Sequence, residues 1–333
     1  MTARGAVFRV RRGLGTVARE LGTEVDLLRS RRGRADLALF HQFAPPPTGG
    51  GHQFLRALLG ELERRGLAVE LNRISRGTSI CLFNSFNFDF RRLRRFARSD
   101  VRFVHRVDGP IAAYRGFDDG TDARIAEVNH ALADATIVQS CYSLDAHGEL
   151  GIELTDPRLV VNTVDPSIFH PPSEREPLAG RRVRVIATSW SDNPNKGFDV
   201  VSWLDAHLDH ARYELTFAGR TDETLRDVRA LGALSTEAVA AELRRSDVYL
   251  APSRNDPCSN ALLEALACGL PAVFRASGGH PELVGEAGLP FDEPDEVPAA
   301  LDRLVAELEE RRAAIRVAAL ADVVDRYLTV LRG

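Results

Sequence analysis

The sequence predicts an α/β protein of two domains, each a parallel sheet covered by helices, with a cleft between them. Three observations predict it. The chain has 333 residues, more than one hydrophobic core usually organises. Short apolar runs alternate with helical patterns from end to end, the signature of strand–helix–strand crossovers and so of parallel sheets. A charged, proline-containing interval at 166–180, with Pro171, Pro172 and Pro177, separates two such series. Two Rossmann-like domains are therefore expected, over 1–170 and 171–312, with a helical region at 313–333 free to pack back on the first.

Taken in order, the first series places strands at 37–42, 69–71, 80–83, 102–106, 135–139 and 159–161. The second places them at 183–188, 213–218, 247–251, 272–275 and 289–291. Helical patterns fall between them, at 53–65, 198–208, 236–245, 260–268 and 296–310. The helix over 260–268 carries its own stop signals, Gly269 and Pro271.

Composition narrows the function classes. A net charge of -4 excludes a general nucleic-acid binder. No apolar run reaches the ~18 residues of a membrane span, and the basic N-terminus lacks the apolar stretch of a secretory leader. Cys81, Cys141, Cys258 and Cys268 form no CxxC pair and no metal spacing, which suits a reducing, cytoplasmic setting. Charge is uneven, however. Residues 1–36 hold nine arginines, and Arg91, Arg92, Arg94, Arg95 and Arg98 form a second basic cluster. Both segments are candidates for peripheral contact with an anionic membrane face or an anionic acceptor. The alternative is a solvated face in an arginine-rich chain. Of 43 Lys and Arg residues a single one is lysine, Lys196. Where arginine is the rule, that exception points to a site needing the compact ammonium.

Three loops carry the chemistry. Pro45-Pro46-Pro47-Thr48-Gly49-Gly50-Gly51-His52-Gln53 runs from a strand into a helix. Its glycines let backbone approach a ligand, and a helix start offers free N–H groups to an anion. It is neither GxGxxG nor a Walker loop, so a plain turn remains open. Thr188 to Gly197 holds Lys196 at the carboxyl end of the second domain's first strand, where open α/β sheets bind ligands. The next strand ends at Arg220, a second cation for the same edge. Finally, Pro252 to Pro271 contains a polar loop with Asp256 and a helix with Glu264 eight positions later. The amides of Cys258, Ser259 and Asn260 stand at that helix start, suited to phosphate oxygens.

These segments together resemble the retaining GT-B glycosyltransferases with a "glycosyltransferase group 1" C-terminal domain. Asp256…Glu264 has the spacing of that family's Glu-x7-Glu motif, with Asp first. Lys196-Gly197 is similar to its "KG", and 260–271 to the stretch reading "EAMACGxPV". Ser277-Gly278-Gly279-His280-Pro281-Glu282-Leu283-Val284 is similar to its "GGxxEhV" loop, and Asn162-Thr163-Val164-Asp165 to its interdomain link. The resemblance implies a GT-B fold and a glycosyl transfer from a nucleotide diphosphate sugar, with retention, to a glycan, lipid-linked or small-molecule acceptor. It implies that Lys196 meets the donor diphosphate, Glu264 the ribose and Asp256 the donor sugar. Gly50 and Gly51 would lie against the donor phosphates or the acceptor. His105 would sit near the donor sugar, and Arg106 and Asp108 near the acceptor.

There are departures. Many relatives carry Arg six positions before the motif lysine, and here that residue is Trp190. Arg220 is the candidate replacement. No Asp-x-Asp pair for a metal is present, so no metal or cofactor is expected, and cations with helix amides would stabilise the leaving diphosphate. Two alternatives share the architecture: a sugar-nucleotide 2-epimerase and a non-catalytic nucleotide-sugar-binding protein. The base, the sugar and the acceptor are not legible.

Overall fold

A computed structural model describes residues 33–44, 50–191, 193–221 and 224–333. The arginine-rich segment through residue 32, Pro45 to Gly49 of the glycine loop, and Asp192 lie outside the described residues.

The first domain contains β1 (Leu37–Phe40), α1 (Gly50–Arg64), β2 (Val69–Leu71), β3 (Ile80–Asn84), α2 (Phe90–Phe96), β4 (Arg102–Arg106), α3 (Ile111–Arg115), α4 (Thr121–Leu132), β5 (Ala135–Val138), α5 (Cys141–Glu149) and β6 (Pro157–Leu159). The strands pair in parallel in the order β2-β1-β3-β4-β5-β6. β1 and β5 are buried at every residue, as apolar runs covered on both faces should be.

The second domain contains β7 (Val183–Ser189), α6 (Phe198–His207), β8 (Tyr213–Gly219), β9 (Arg229–Gly232), α7 (Thr236–Arg245), β10 (Val248–Ala251), α8 (Asn260–Ala267), β11 (Ala272–Arg275), α9 (His280–Val284), β12 (Gly288–Phe291), α10 (Val297–Ala306) and α11 (Leu308–Ala313). Its sheet is also parallel, in the order β12-β11-β10-β7-β8-β9. Ser235 and Ser259 cap α7 and α8 by accepting from the amides of Ala238 and Leu262. β9 has no apolar signal: its residues Arg-Ala-Leu-Gly are largely exposed at the sheet edge, and its pairing with β8 slips between Phe217 and Ala218. The stretch expected as one helix over 296–310 is two, α10 and α11, meeting at Glu307.

The last helix, α12 (Leu320–Arg332), returns to the first domain. Val323, Val324, Tyr327 and Leu331 share one core with Phe54, Leu55 and Leu58 of α1 and with Leu39 and Val104 of the sheet. Chain order therefore runs first domain, second domain, first domain, and the strap ties the two.

Three arginines of the basic cluster around α2 make contacts within the first domain. Arg92 donates to the Asn72 carbonyl at 2.6 Å, and Arg94 pairs with Glu127 at 2.6 Å. Arg98 pairs with Asp100 at 2.9 Å and binds the carbonyls of Ser75, Arg76 and Thr78. Among the described residues no helix is long and apolar enough to cross a membrane.

Candidate active site

The carboxyl ends of the two sheets face one cleft, the place where open α/β sheets bind ligands. One compartment, of about 300 Å³, lies between His41, His52, Asp108 and Tyr114 on one side and Trp190, Lys196 and 256–261 on the other. A second, of about 550 Å³, lies between α1, the 163–169 link and Leu234, with Glu264 in its wall. A throat past Gly50, Trp190, Gly219 and Glu264 joins them.

Lys196 reaches the cleft through local geometry. Asn193 caps the turn by accepting from the Asn195 amide at 2.9 Å. The turn Pro194–Lys196 then ends at Gly197, which has φ 80°. A β-carbon on Gly197 would come within 2.3 Å of the Pro252 carbonyl oxygen, so the position requires glycine twice over. The Lys196 ammonium meets Asp256 Oδ2 at 2.9 Å and lies 4.8 Å from the Tyr114 ring centroid. Burial works against its charge, but Asp256 and Tyr114 outweigh burial and raise its pKa. Burial likewise opposes ionisation of Asp256. The Lys196 ammonium and the nearby His280 ring overcome that, and the carboxyl stays below the usual range. The 277–284 loop supports this pair: Gly279 donates its amide to the Asp256 carbonyl at 2.9 Å, and the His280 ring lies between Ser253 (3.2 Å) and the Arg275 carbonyl (3.1 Å).

At the start of α8 the amides of Ser259 and Asn260 precede any intrahelical acceptor, and among the described residues no other group accepts from them, which leaves them to an anion. Cys258 is different. Its amide is turned to the Asp256 carboxylate and its thiol is buried, with the pKa pushed up to about 12 by desolvation. It therefore supports Asp256 rather than a phosphate. Glu264, one turn into α8, has no hydrogen-bond partner among the described residues, and burial raises its pKa to about 8. A carboxyl left in this state is prepared for hydroxyl donors.

Gly50 and Gly51 begin α1. A β-carbon on Gly50 would fall 2.3 Å from that of Asn260, so the glycine lets the two domains approach at the head of α8. Gly51 faces open space in the smaller compartment. Gln53 crosses the cleft to hydrogen-bond the Thr236 hydroxyl. Elsewhere the domains interlock. The amides of Asn193 (2.8 Å) and Asn195 (2.9 Å) donate to the Tyr114 carbonyl at the end of α3. Glu282 accepts from the amides of Cys141 (2.7 Å) and Tyr142 (2.8 Å), capping α5 from the other domain.

Three expected contacts change. His105 lies inside β4 and not at the cleft: it is fully buried, stacked on Phe83 at 4.1 Å, and 3.1 Å from the Asn129 amide nitrogen. Desolvation pushes its pKa down to about 3, which keeps it neutral. Arg106 is 1% exposed and stands behind the cleft wall. It donates to Asn84 (2.8 Å), Asp108 (2.8 Å) and Asn162 (3.2 Å), and Asn162 in turn donates to Asn260 (3.2 Å). Arg106 thus organises wall residues from behind, and Asp108 is the one that reaches the cleft. Arg220 is exposed and outside the cavity walls, its guanidinium 4.4 Å from the centroid of the Trp190 ring. The residues not singled out from the sequence are His41, Asn84, Tyr114 and Gln53. His52 and Gln53 stood inside the glycine-loop motif, but His41 and Tyr114 carried no signal of their own.

Two parallel-sheet domains closed over such a cleft define the GT-B architecture. Residues 185–307, within the second domain, match the family "Glycosyl transferases group 1". A curated relative from Corynebacterium glutamicum, described as a GDP-mannose-dependent monoacylated alpha-(1-6)-phosphatidylinositol monomannoside mannosyltransferase, is 28% identical over 188 residues. That alignment covers 48% of this chain and 49% of the relative. The chain spans about half or less of the curated relatives it matches first. Among solved structures, a sucrose-phosphate synthase from Thermosynechococcus elongatus superposes with TM-score 0.71 at 16% identity, over 90% of this chain and 98% of that one. Anabaena Alr3699/HepE in complex with UDP and glucose superposes with TM-score 0.67 at 14% identity, over 90% of this chain and 100% of that one.

Proposed function

We propose that the chain is a hexosyltransferase that moves a sugar from a nucleotide diphosphate sugar to a hydroxylated acceptor, with retention and without a metal. The observation that carries this is the arrangement around α8. Lys196 and Asp256 stand at its head and the unpartnered Glu264 one turn along, all in one cleft. Those groups match the successive parts of such a donor: sugar hydroxyls at Asp256, diphosphate at Lys196 and the free helix amides, ribose at Glu264.

In the transfer the bond from the sugar's anomeric carbon to the phosphate oxygen breaks, and the electron pair leaves with the diphosphate. The acceptor oxygen bonds to the same carbon and its proton passes to the leaving phosphate. The protein's task is to stabilise charge growing on that phosphate with groups already in place. Lys196 and the α8 amides supply this without reorganisation. Trp190, with Arg220 stacked on it, is the further source of positive potential where relatives carry a direct cation. No observation favours the 2-epimerase or the non-catalytic reading.

A thermal-shift panel of nucleoside diphosphates and nucleotide sugars tests the proposal. A true ligand at 100 times its Kd adds about 2.7 kcal/mol of stability. Lys196→Ala should abolish the shift and slow transfer by roughly 10²–10³. Binding of no nucleoside diphosphate by the wild type, or an unchanged shift in the variant, overturns it.

A further inference from the structure

The first domain's wall carries a pair of imidazoles that the donor chemistry does not use. His41 follows β1 and His52 lies in the first turn of α1, and His41 Nε2 is 2.8 Å from His52 Nδ1. Both rings line the compartment that holds Lys196 and Asp256. One of the two nitrogens must donate. His41 is buried and its Nδ1 has no partner among the described residues. A buried N–H without an acceptor is the costlier orphan, so Nδ1 is the bare nitrogen and His41 donates from Nε2. His52 then carries its proton on Nε2, the nitrogen turned away from His41 and without a partner among the described residues. Both rings are neutral at pH 7: burial, with His52, Arg106 and Arg56, pushes His41 down to about 3, and burial with Arg56 lowers His52.

The surrounding wall suits an uncharged ligand. Aromatic faces come from Phe86 and Tyr114, and hydrogen-bonding groups from Asn84 and Asp108. Of the cations near the two rings, Arg106 is paired with Asp108, Arg115 with Asp119 at 2.8 Å, and Arg56 donates to the Ala44 carbonyl. Beside the two rings an anionic group would meet the Asp108 carboxylate and neutral imidazoles, whereas the donor diphosphate belongs at the Lys196 end of the compartment. A sugar or polyol would find ring faces to pack on and neutral donors and acceptors for its hydroxyls.

We propose that His52 contacts the acceptor, donating from Nε2 to a hydroxyl of an uncharged sugar or polyol, and that His41 is its positioning residue. This rests on the transferase reading, and its test separates the two. The full chain, in saturating nucleoside diphosphate, is titrated with methyl α-D-glucopyranoside, methyl α-D-mannopyranoside and myo-inositol, and with glucose 6-phosphate and inositol 1-phosphate. Histidine imidazole resonances, assigned with His52→Ala and His41→Leu, report the binding. At least one neutral probe should shift His52, and its affinity should fall about tenfold in His52→Ala and His41→Leu, the worth of one hydrogen bond. His41→Gln, whose side-chain amide still donates to His52, should restore most of it. The proposal is overturned if neutral probes leave His52 unshifted, if phosphorylated probes alone shift it, or if His41→Leu binds as wild type. Normal nucleotide binding with an unshifted His52 sinks this inference alone, whereas a protein that binds no nucleotide sinks the transferase reading whatever His52 does.

Discussion

Glu264→Gln isolates a cleft carboxyl on α8 that has no hydrogen-bond partner among the described residues. Burial raises this group from 4.5 to about 8. The gap corresponds to a ceiling of about 5 kcal/mol between the two protonation states. Because the carboxyl faces an open cleft, solvent screening reduces that figure, and about 2 kcal/mol is the working value. The sign follows from linkage. The folded state holds the proton more tightly than the unfolded chain, so stability is fully present below pH 4.5 and is lost as pH rises through about 8. Glutamine keeps the shape and has no proton to lose. Urea unfolding of wild type and variant at pH 5 and pH 8 gives the comparison, in which other titrating groups cancel. The wild type should lose about 2 kcal/mol more than the variant over that range. A bound nucleoside diphosphate, whose ribose hydroxyls donate to the carboxylate, should reduce the difference. A wild-type-minus-variant stability that stays constant from pH 5 to pH 8 would show that Glu264 is solvated, and would remove the argument for its role.

Other perturbations test the remaining parts of the site. Gly50→Ala drives a β-carbon to 2.3 Å from that of Asn260 and should hold the domains apart, raising the radius of gyration in small-angle scattering and slowing transfer by about 10²-fold; unchanged scattering and rate would mean the closure is unimportant. Trp190→Ala removes the ring under Arg220, and nucleoside diphosphate binding should weaken by about 1–2 kcal/mol, with Arg220→Ala no further loss on top. Additive losses in the double variant would mean the two act separately. His105→Phe bears on acid stability: the pKa of His105 is depressed from 6.5 to about 3, so its contribution is present above pH 6.5 and lost as pH falls toward 3, and the variant should unfold at lower pH than wild type. An equal or earlier acid transition would show that His105 does not govern it.

The inner strands of both sheets were legible because they are buried on both faces and read as continuous apolar runs, whereas the exposed edge strand β6 lies two residues before the expected 159–161. β1, β4, β10 and β11 fall within a residue or two of expectation. β9 was not legible, because an exposed edge strand of Arg-Ala-Leu-Gly owes its pairing to β8 and not to its own side chains. In the site, Lys196, Asp256 and Glu264 were legible for a different reason. All three belong to short loops and helix starts within the second domain, where local spacing determines position. Half of the cleft wall is not of that kind. Tyr114 meets Lys196 only because Asn193 and Asn195 grip the end of α3 from the other domain.

His105 and Arg106 show where strand-end reasoning breaks down. Both close β4, and both carry chemistry that a cleft can use. Yet successive strand residues face opposite sides of the sheet, and each side here is covered. His105 is stacked on Phe83. Arg106 lies over Phe54, with Tyr327 of α12 beside it. The covering helix α12 begins more than 200 residues later, so no window around β4 contains the information that buries Arg106. Besides strand-end residues such as Asn84 of β3, the cleft takes residues one or two positions past a strand end: His41 after β1, Asp108 after β4, Trp190 after β7. At the latter positions the backbone has left the sheet. A buried arginine with three described hydrogen-bond partners is costly unless every one of them is kept. Its burial therefore makes Asn84, Asp108 and Asn162 rigid where the acceptor side meets α8, and the precision of the cleft depends on a residue that no substrate touches.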